Sequence, residues 1–357
     1  MDLVCRDCGQ EYPADGPWRC DCGHPLDFAA RPLPDGPPPE SLPRDDGLWA
    51  FSEFLPVERR VSFNEGWTPL VDAPEWDCQF KLESLFPTAS FKDRGATTTI
   101  SRAAALGVDR VVEDSSGNAG LAVATYAARA GIDAEIFVPA EAKPGKLKAI
   151  ERTGATLRRI EGSRQDVTDA CVEAVESGEG YYASHAWDPA FFAGTSTVAL
   201  EIAAQGGWEA PDAFLTPLGH GTLFVGAYRG FQALLEVGWI DSMPKLLGAQ
   251  ATGVAPIAET LHGPSSERRN DAADGIQISE PVREDQILDA IEATDGDALA
   301  VSAVETEREY DRLARAGFHV EPTCATATAA LQQFRDRGVI DEADDVVVAL
   351  TGSGLKG

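Results

Sequence analysis

The chain has 357 residues, of which 43% are hydrophobic, enough to build two cores rather than one small one. Its 58 Asp and Glu against 30 Lys and Arg leave a net charge of −28, a balance that repels nucleic acid and anionic membrane surfaces. No apolar run reaches the roughly 20 residues of a membrane span, and the opening Met-Asp-Leu-Val-Cys has neither a basic region nor an apolar signal core. A cytoplasmic protein with reduced thiols is therefore expected. The acidic excess also suits a salt-rich, halophilic cytoplasm, where self-repulsion is screened, although it equally describes a very soluble protein.

In chain order, the first unit is a cysteine knuckle over residues 1–29. Cys5 and Cys8 form a Cys-x2-Cys pair, and Cys20 and Cys22 form a Cys-x-Cys pair. Four thiolates in two close pairs suit a tetrahedral structural zinc; a metal-free knuckle or two disulfides are the alternatives. His24 is a spare ligand to an already complete shell. Cys78, Cys171 and Cys324 stand alone and read as small core residues. Residues 30–54 begin with a Pro-rich run, a stiff extended linker.

From about residue 80 strands and helices alternate. Strands are expected at 110–113, 134–138, 155–160, 180–184, 213–217, 245–250 and 345–350. Helices are expected at 118–130, 146–152, 165–177, 222–236 and 326–337, the first stopped by Gly131. This is an α/β pattern with mostly parallel sheets. Residues 262–281, charged and small, read as a mobile loop.

Three segments fall where such folds place ligands. Asp114-Ser115-Ser116-Gly117-Asn118-Ala119-Gly120 joins a strand to a helix, so its N–H groups aim at an anion above the helix start. Pro217-Leu218-Gly219-His220-Gly221-Thr222 repeats the design and makes a phosphate cradle. Pro87 to Gly95 holds Lys92 in a short, turn-like stretch. Each segment alone reads equally as an ordinary turn.

Together, in this order and spacing, they resemble threonine synthase and its relatives among the fold type II enzymes of pyridoxal phosphate (PLP). The resemblance spans nearly the whole chain. It includes the knuckle, Gly66-Trp67-Thr68-Pro69-Leu70, Lys81-Leu82-Glu83, Ser90-Phe91-Lys92-Asp93-Arg94-Gly95, the Ser115–Gly120 loop, Glu321-Pro322, and Thr351-Gly352-Ser353-Gly354-Leu355-Lys356. It implies two doubly wound domains with the cofactor between them, residues 80–188 forming the smaller and residues 55–79 and 189–357 the larger. It implies that Lys92 carries the cofactor as a Schiff base and later moves protons. Asn118 would face the phenolic oxygen, Gly219, His220, Gly221 and Thr222 the phosphate, and Thr351 the pyridine nitrogen. A hydroxyl there does not force that nitrogen to stay protonated, which makes the ring a milder electron sink. Ser115, Ser116 and His185 would meet the amino-acid substrate, a small molecule. Fold analogy alone suggests a homodimer.

The resemblance weakens where a substrate phosphate should bind. The family's Asn-Ser-x-Asn-Pro-x-Arg reads here His185-Ala186-Trp187-Asp188-Pro189-Ala190-Phe191. Phe191 replaces the arginine, Ala186 lacks a hydroxyl, and Phe86 replaces an asparagine before Pro87. Losing one partner of a buried charge pair costs about 2–5 kcal/mol. Trp187, Phe191 and Phe192 are expected to make the pocket more apolar, with His185 or Arg94 as compensating groups. Three activities follow: threonine synthase; a threonine or serine dehydratase, or a β-replacement enzyme making cysteine or cysteate; and, more remotely, a non-catalytic PLP-binding regulator. The complete Lys, Asn and Thr set favours turnover.

Overall fold

The computed structural model describes residues 1–142, 144–264 and 268–356, with the backbone alone for residues 144–146. The knuckle folds as three short antiparallel strands, β1 (Leu3–Cys5), β2 (Glu11–Tyr12) and β3 (Leu26–Phe28), in the order β2-β1-β3. Residues 30–43 carry no helix or strand, and a kinked 3-10 helix follows over Arg44–Phe54. An antiparallel pair, β4 (Leu70–Ala73) and β5 (Cys78–Lys81), precedes the first long helix, α1 (Lys92–Ala105).

The alternating part then begins with β6 (Arg110–Glu113), α2 (Asn118–Ala130), β7 (Asp133–Pro139), α3 (Pro144–Glu151), β8 (Thr156–Ile160), α4 (Arg164–Glu176) and β9 (Tyr181–Tyr182). These strands make a parallel sheet, β8-β7-β6-β9. Next come α5 (Pro189–Gln205), β10 (Ala213–Pro217), α6 (Thr222–Glu236), β11 (Lys245–Ala251), α7 (Pro256–His262), α8 (Glu284–Ala293), β12 (Asp297–Val301), α9 (Ala303–Arg315), α10 (Pro322–Asp336) and β13 (Val346–Ala349). The second sheet runs β12-β11-β10-β13-β5-β4, parallel except for β4 at the edge.

The alternation is as the sequence suggests, but two expectations need correction. Lys92 does not sit in a turn; it opens α1. Residues 262–281 include a 3-10 turn, Asp274–Ile276, and bury Asn270 and Ala273 completely, while residues 265–267 lie outside the described residues. Of the isolated cysteines, Cys171 and Cys324 are buried and Cys78 only partly so.

Helices α1 and α5 cross closely enough to require glycine on both. A Cβ on Gly95 would lie 2.0 Å from the Phe191 ring, and one on Gly194 would lie 1.9 Å from the Arg94 carbonyl oxygen. Phe191 therefore fills the groove that Gly95 leaves, and is wholly buried.

Beside that crossing lies a fully buried ionic network. Arg94 grips Glu83 through Nε and Nη2, both at 2.7 Å, and Glu201 through Nη1 and Nη2 at 2.6 and 2.8 Å. Lys81 Nζ donates to Glu201 at 2.9 Å, to the Thr68 carbonyl at 2.8 Å and to Gln205 at 2.8 Å. Thr68 Oγ1 donates to Glu83 at 2.6 Å. Two cations meet two anions, so the cluster is neutral. Burial raises the proton affinity of Glu201, but Arg94 and Lys81 more than reverse this, holding its carboxyl well below the usual range. Arg94 is thus structural and does not replace a lost substrate contact. Phe86 lies under the same guanidinium, 5.0 Å from ring centre to cation.

The knuckle is clamped to both halves. Asp27 on β3 pairs with Arg229 on α6 at 2.8 Å and with Arg283 at 2.9 Å, while Trp18 packs edge-on against Tyr182 of β9 and Trp187. Removing one member of a buried charge network leaves its partners uncompensated, which costs about 3–5 kcal/mol. Glu201→Ala should lower unfolding stability by that amount in denaturant titrations at constant salt. A loss under about 1 kcal/mol would show that the network is dispensable.

Candidate active site

A cavity of about 300 Å³ lies at the carboxyl ends of the strands of both sheets. Its lining contains every cofactor and substrate residue expected from the sequence: Lys92, Ser115, Ser116, Asn118, His185, Gly219, His220, Gly221, Thr222 and Thr351. Five helices turn their N-termini toward it, α1 at Lys92, α2 at Asn118, α4 at Arg164, α6 at Thr222 and α10 at Thr323. Their unpaired N–H groups and aligned dipoles make this a site for anions.

The cradle is built of bare backbone. Gly221 takes a left-handed conformation at φ 73° as the cap of α6, and a Cβ there would lie 2.5 Å from Ile287 Cδ1. Gly120 lets α2 start directly under Ser115, whose carbonyl oxygen would be 1.8 Å from a Cβ at that position. Ser115 Oγ accepts from the Gly117 N–H at 3.3 Å.

Lys92 projects into this space with its Nζ 4.5 Å from the Phe91 ring centre and 5.7 Å from that of Phe191. Burial lowers its proton affinity, bringing its pKa to about 7 despite the opposing fields of Glu113 and Glu321. A neutral amine, which is the nucleophilic form, is therefore abundant near neutral pH. Behind it lies a buried pair, Glu113 and His185, with Oε1 and Nδ1 at 2.7 Å. Burial, with Asp114 adding to it, pushes the Glu113 carboxyl well up; burial, with Lys92 and His220, pushes His185 well down. Both shifts disfavour a charged pair, pushing each group toward its uncharged form. His220 is likewise neutral, its pKa lowered by burial to about 3, and its Nδ1 is buried without a partner.

On the opposite wall, Asn118 Nδ2 donates to Glu321 at 3.1 and 3.0 Å, and Lys356 Nζ donates to Asn118 Oδ1 at 2.7 Å. A cation on Oδ1 fixes which way the amide faces. Thr351 is buried, with Oγ1 at 3.5 Å from Cys324 Sγ. In the knuckle, Cys5 and Cys22 sulfurs are 3.5 Å apart, as are those of Cys8 and Cys20, and all four lie within 4.8 Å of one another. Thiolates bound to one zinc at about 2.3 Å would stand about 3.8 Å apart, so the geometry fits that ion.

The apolar reading of the pocket needs correction. Phe191 packs below Lys92 against Gly95, Phe192 lies under Arg283, 4.3 Å from cation to ring centre, and Trp187 faces Trp18. None of the three lines the cavity. What does line it, and was not singled out from sequence, is Arg164, together with Asp274, Gly275, Ile276 and Ile278 from the loop after α7. Glu113 carries a sequence signal of its own: a carboxylate directly after the buried Val111-Val112 of a parallel strand.

The comparisons agree with this geometry. Residues 61–352 match the family model of pyridoxal-phosphate dependent enzymes, so the chain belongs to that family. More closely, it is 32% identical to the threonine synthase of Methanocaldococcus jannaschii, over 99% of this chain and 92% of the relative. Among solved structures it resembles maize serine racemase (TM-score 0.70, 21% identity, 80% of this chain and 88% of the other). It also resembles the T.th. threonine deaminase (TM-score 0.66, 26% identity, 80% and 92%). The chain is a PLP-dependent lyase of fold type II.

Because a pKa near 7 leaves the Lys92 amine increasingly neutral as pH rises through that value, capture of PLP by cofactor-free protein should accelerate to about pH 8 and then level off. Stopped-flow absorbance of the bound cofactor reads this rate. A rate still climbing toward pH 10, as for an ordinary lysine, would contradict the buried environment.

Proposed function

We propose that this enzyme converts O-phosphohomoserine and water to threonine and phosphate. The observation that carries the reading is the reach of the match: the M. jannaschii threonine synthase aligns over 99% of this chain, knuckle included, whereas the deaminase and racemase structures cover 80%. When bound, PLP supplies an electron sink for the carbon skeleton of an amino acid. In this reading Lys92 anchors it and then moves protons at the substrate's α- and β-carbons. The N–H groups of Gly219–Thr222 take its phosphate, Asn118 presents its amide to the phenolic oxygen, and Thr351 meets the pyridine nitrogen without a charge. Ser115 and Ser116, at the start of α2, take the substrate carboxylate. The buried Glu113–His185 pair, biased toward its uncharged forms, would hold a proton beside Lys92.

A dehydratase is the second reading, favoured by Phe191 and Ala186 at positions where the family pattern has anion-binding groups. Purified holoenzyme given O-phosphohomoserine, threonine or O-acetylserine separates the two. Threonine synthase releases phosphate from the first and forms threonine in equal amount. A dehydratase forms ketoacid from the second and leaves the first untouched, and that outcome rejects the proposal.

We also assign Cys5, Cys8, Cys20 and Cys22 as ligands of a structural zinc, on the sulfur spacing and the free state of all four thiols. Elemental analysis should find about one zinc per chain, and chelation should lower the thermal midpoint. Protein purified with zinc present that carries none would reject this assignment.

A further inference from the structure

We propose that Arg164 anchors the anionic group at the far end of the substrate side chain, supplying the positive charge that Phe191 lacks. This rests on the phosphorylated-substrate reading above.

Arg164 is the first residue of α4 and lines the same cavity as Ser115 and Ser116. The placement is built. Thr168, one turn later on the same helix face, donates to Asp114 Oδ2 at 2.6 Å and so clamps α4 onto the Ser115–Gly117 loop. Gly162 precedes the helix at φ 116°, and a Cβ there would lie 2.4 Å from Asp166 Oδ2. Ser163 and Asp166 form a reciprocal capping box that occupies the Asp166 carboxylate, Ser163 N and Oγ donating at 2.6 and 2.7 Å.

The charge itself is out of place for stability. A cation in the first turn opposes the helix dipole. Arg164 makes no hydrogen bond or ion pair with any described residue, although acids outnumber bases 58 to 30. Two carboxylates of the cavity lining have other partners: Asp114 accepts from Thr168 and Tyr182, and Glu321 accepts from Asn118. Its field still reaches the reacting end of the cavity, contributing to the lowered proton affinities of Lys92, His185 and His220. An exposed arginine that lines an anion site, against the dipole and with no hydrogen bond or ion pair to a described residue, is free to meet a ligand. Its fork suits the two oxygens of a phosphate or phosphonate.

The test uses holoenzyme, wild type against Arg164→Gln and Arg164→Lys. The probe is the phosphonate in which a methylene replaces the ester oxygen of O-phosphohomoserine, with threonine as the ligand lacking a distal anion. Binding is read from the cofactor absorbance. Arg164→Gln should weaken the phosphonate roughly 10- to 100-fold, with the lysine variant in between and threonine moving less than about threefold. Unaltered cofactor absorbance and thermal midpoint show that the variants fold. Equal phosphonate affinity in all three proteins, or an equal loss for threonine, overturns the proposal, as does a wild type that does not bind the phosphonate. If wild type releases no phosphate from O-phosphohomoserine yet binds the phosphonate through Arg164, the reaction assignment falls and the anchor stands.

Discussion

Arg94 follows Lys92 by two residues in the first turn of α1, and its guanidinium is enclosed by Glu83 and Glu201 with no exposure to water. Placing four ionised groups in a core is costly unless each finds its partners in good geometry. Here the partners come from β5, from the loop after it, from α1 and from α5, with Thr68 closing the ring. Only one arrangement of those elements satisfies all of them. The network therefore sets the height and rotation of α1, and with them the direction in which Lys92 projects. Gly95 and Gly194 allow α1 and α5 the close approach that the ion pairs demand. A substituted side chain there would part the helices and move Lys92.

Lys92 owes the lowered proton affinity of its amine to the same construction. α1 begins at the floor of a cavity where four other helices also begin. That convergence is a positive field made of backbone, inside a chain whose net charge is −28. It draws an anionic cofactor inward without surface cations, which the acidic exterior would neutralise. The field and the burial also disfavour a protonated lysine. Binding of the phosphate and readiness of the amine thus follow from one arrangement of helix ends.

Much of this was legible in the sequence, for physical reasons that differ by residue. The ends of α2 and α6 are marked by glycines in left-handed or irregular backbone, Gly117, Gly131 and Gly221, so their boundaries were read correctly. The strands of the central sheet are apolar runs buried on both faces, such as Phe214 to Pro217, and could hardly be anything else. The start of α1 reads as a turn in the sequence because Gly95 and Thr97–Thr99 are poor helix formers. Packing overrides their propensity: Thr97 and Thr98 bond carbonyls of neighbouring segments, and Gly95 admits Phe191. Phe191 and Phe192 read alike in the sequence but point about 100° apart on α5, while Trp187 lies in the turn before that helix. Arg94 and Arg164 look alike as letters. Only the fold shows that the first is enclosed by two carboxylates and that the second forms no ion pair with a described residue.

The split between the two ends of the cavity has a structural cause. At the end of the cavity proposed for the cofactor, the groups on offer are main-chain N–H groups at Gly219, Gly221 and the helix starts, which depend on little beyond the absence of a side chain. Larger residues would collide at that end, as a Cβ on Gly221 would with Ile287. The substrate end is made of side chains on elements that meet only in the folded state. There a charge can migrate from one helix to another and still face the same space. Phe191 then serves the α1–α5 crossing, Arg94 serves the buried network, and the cation left to face the ligand enters from α4. Substrate preference in this chain accordingly depends on the loop from Gly162 to Arg164 as much as on the Asp188-Pro189 helix start.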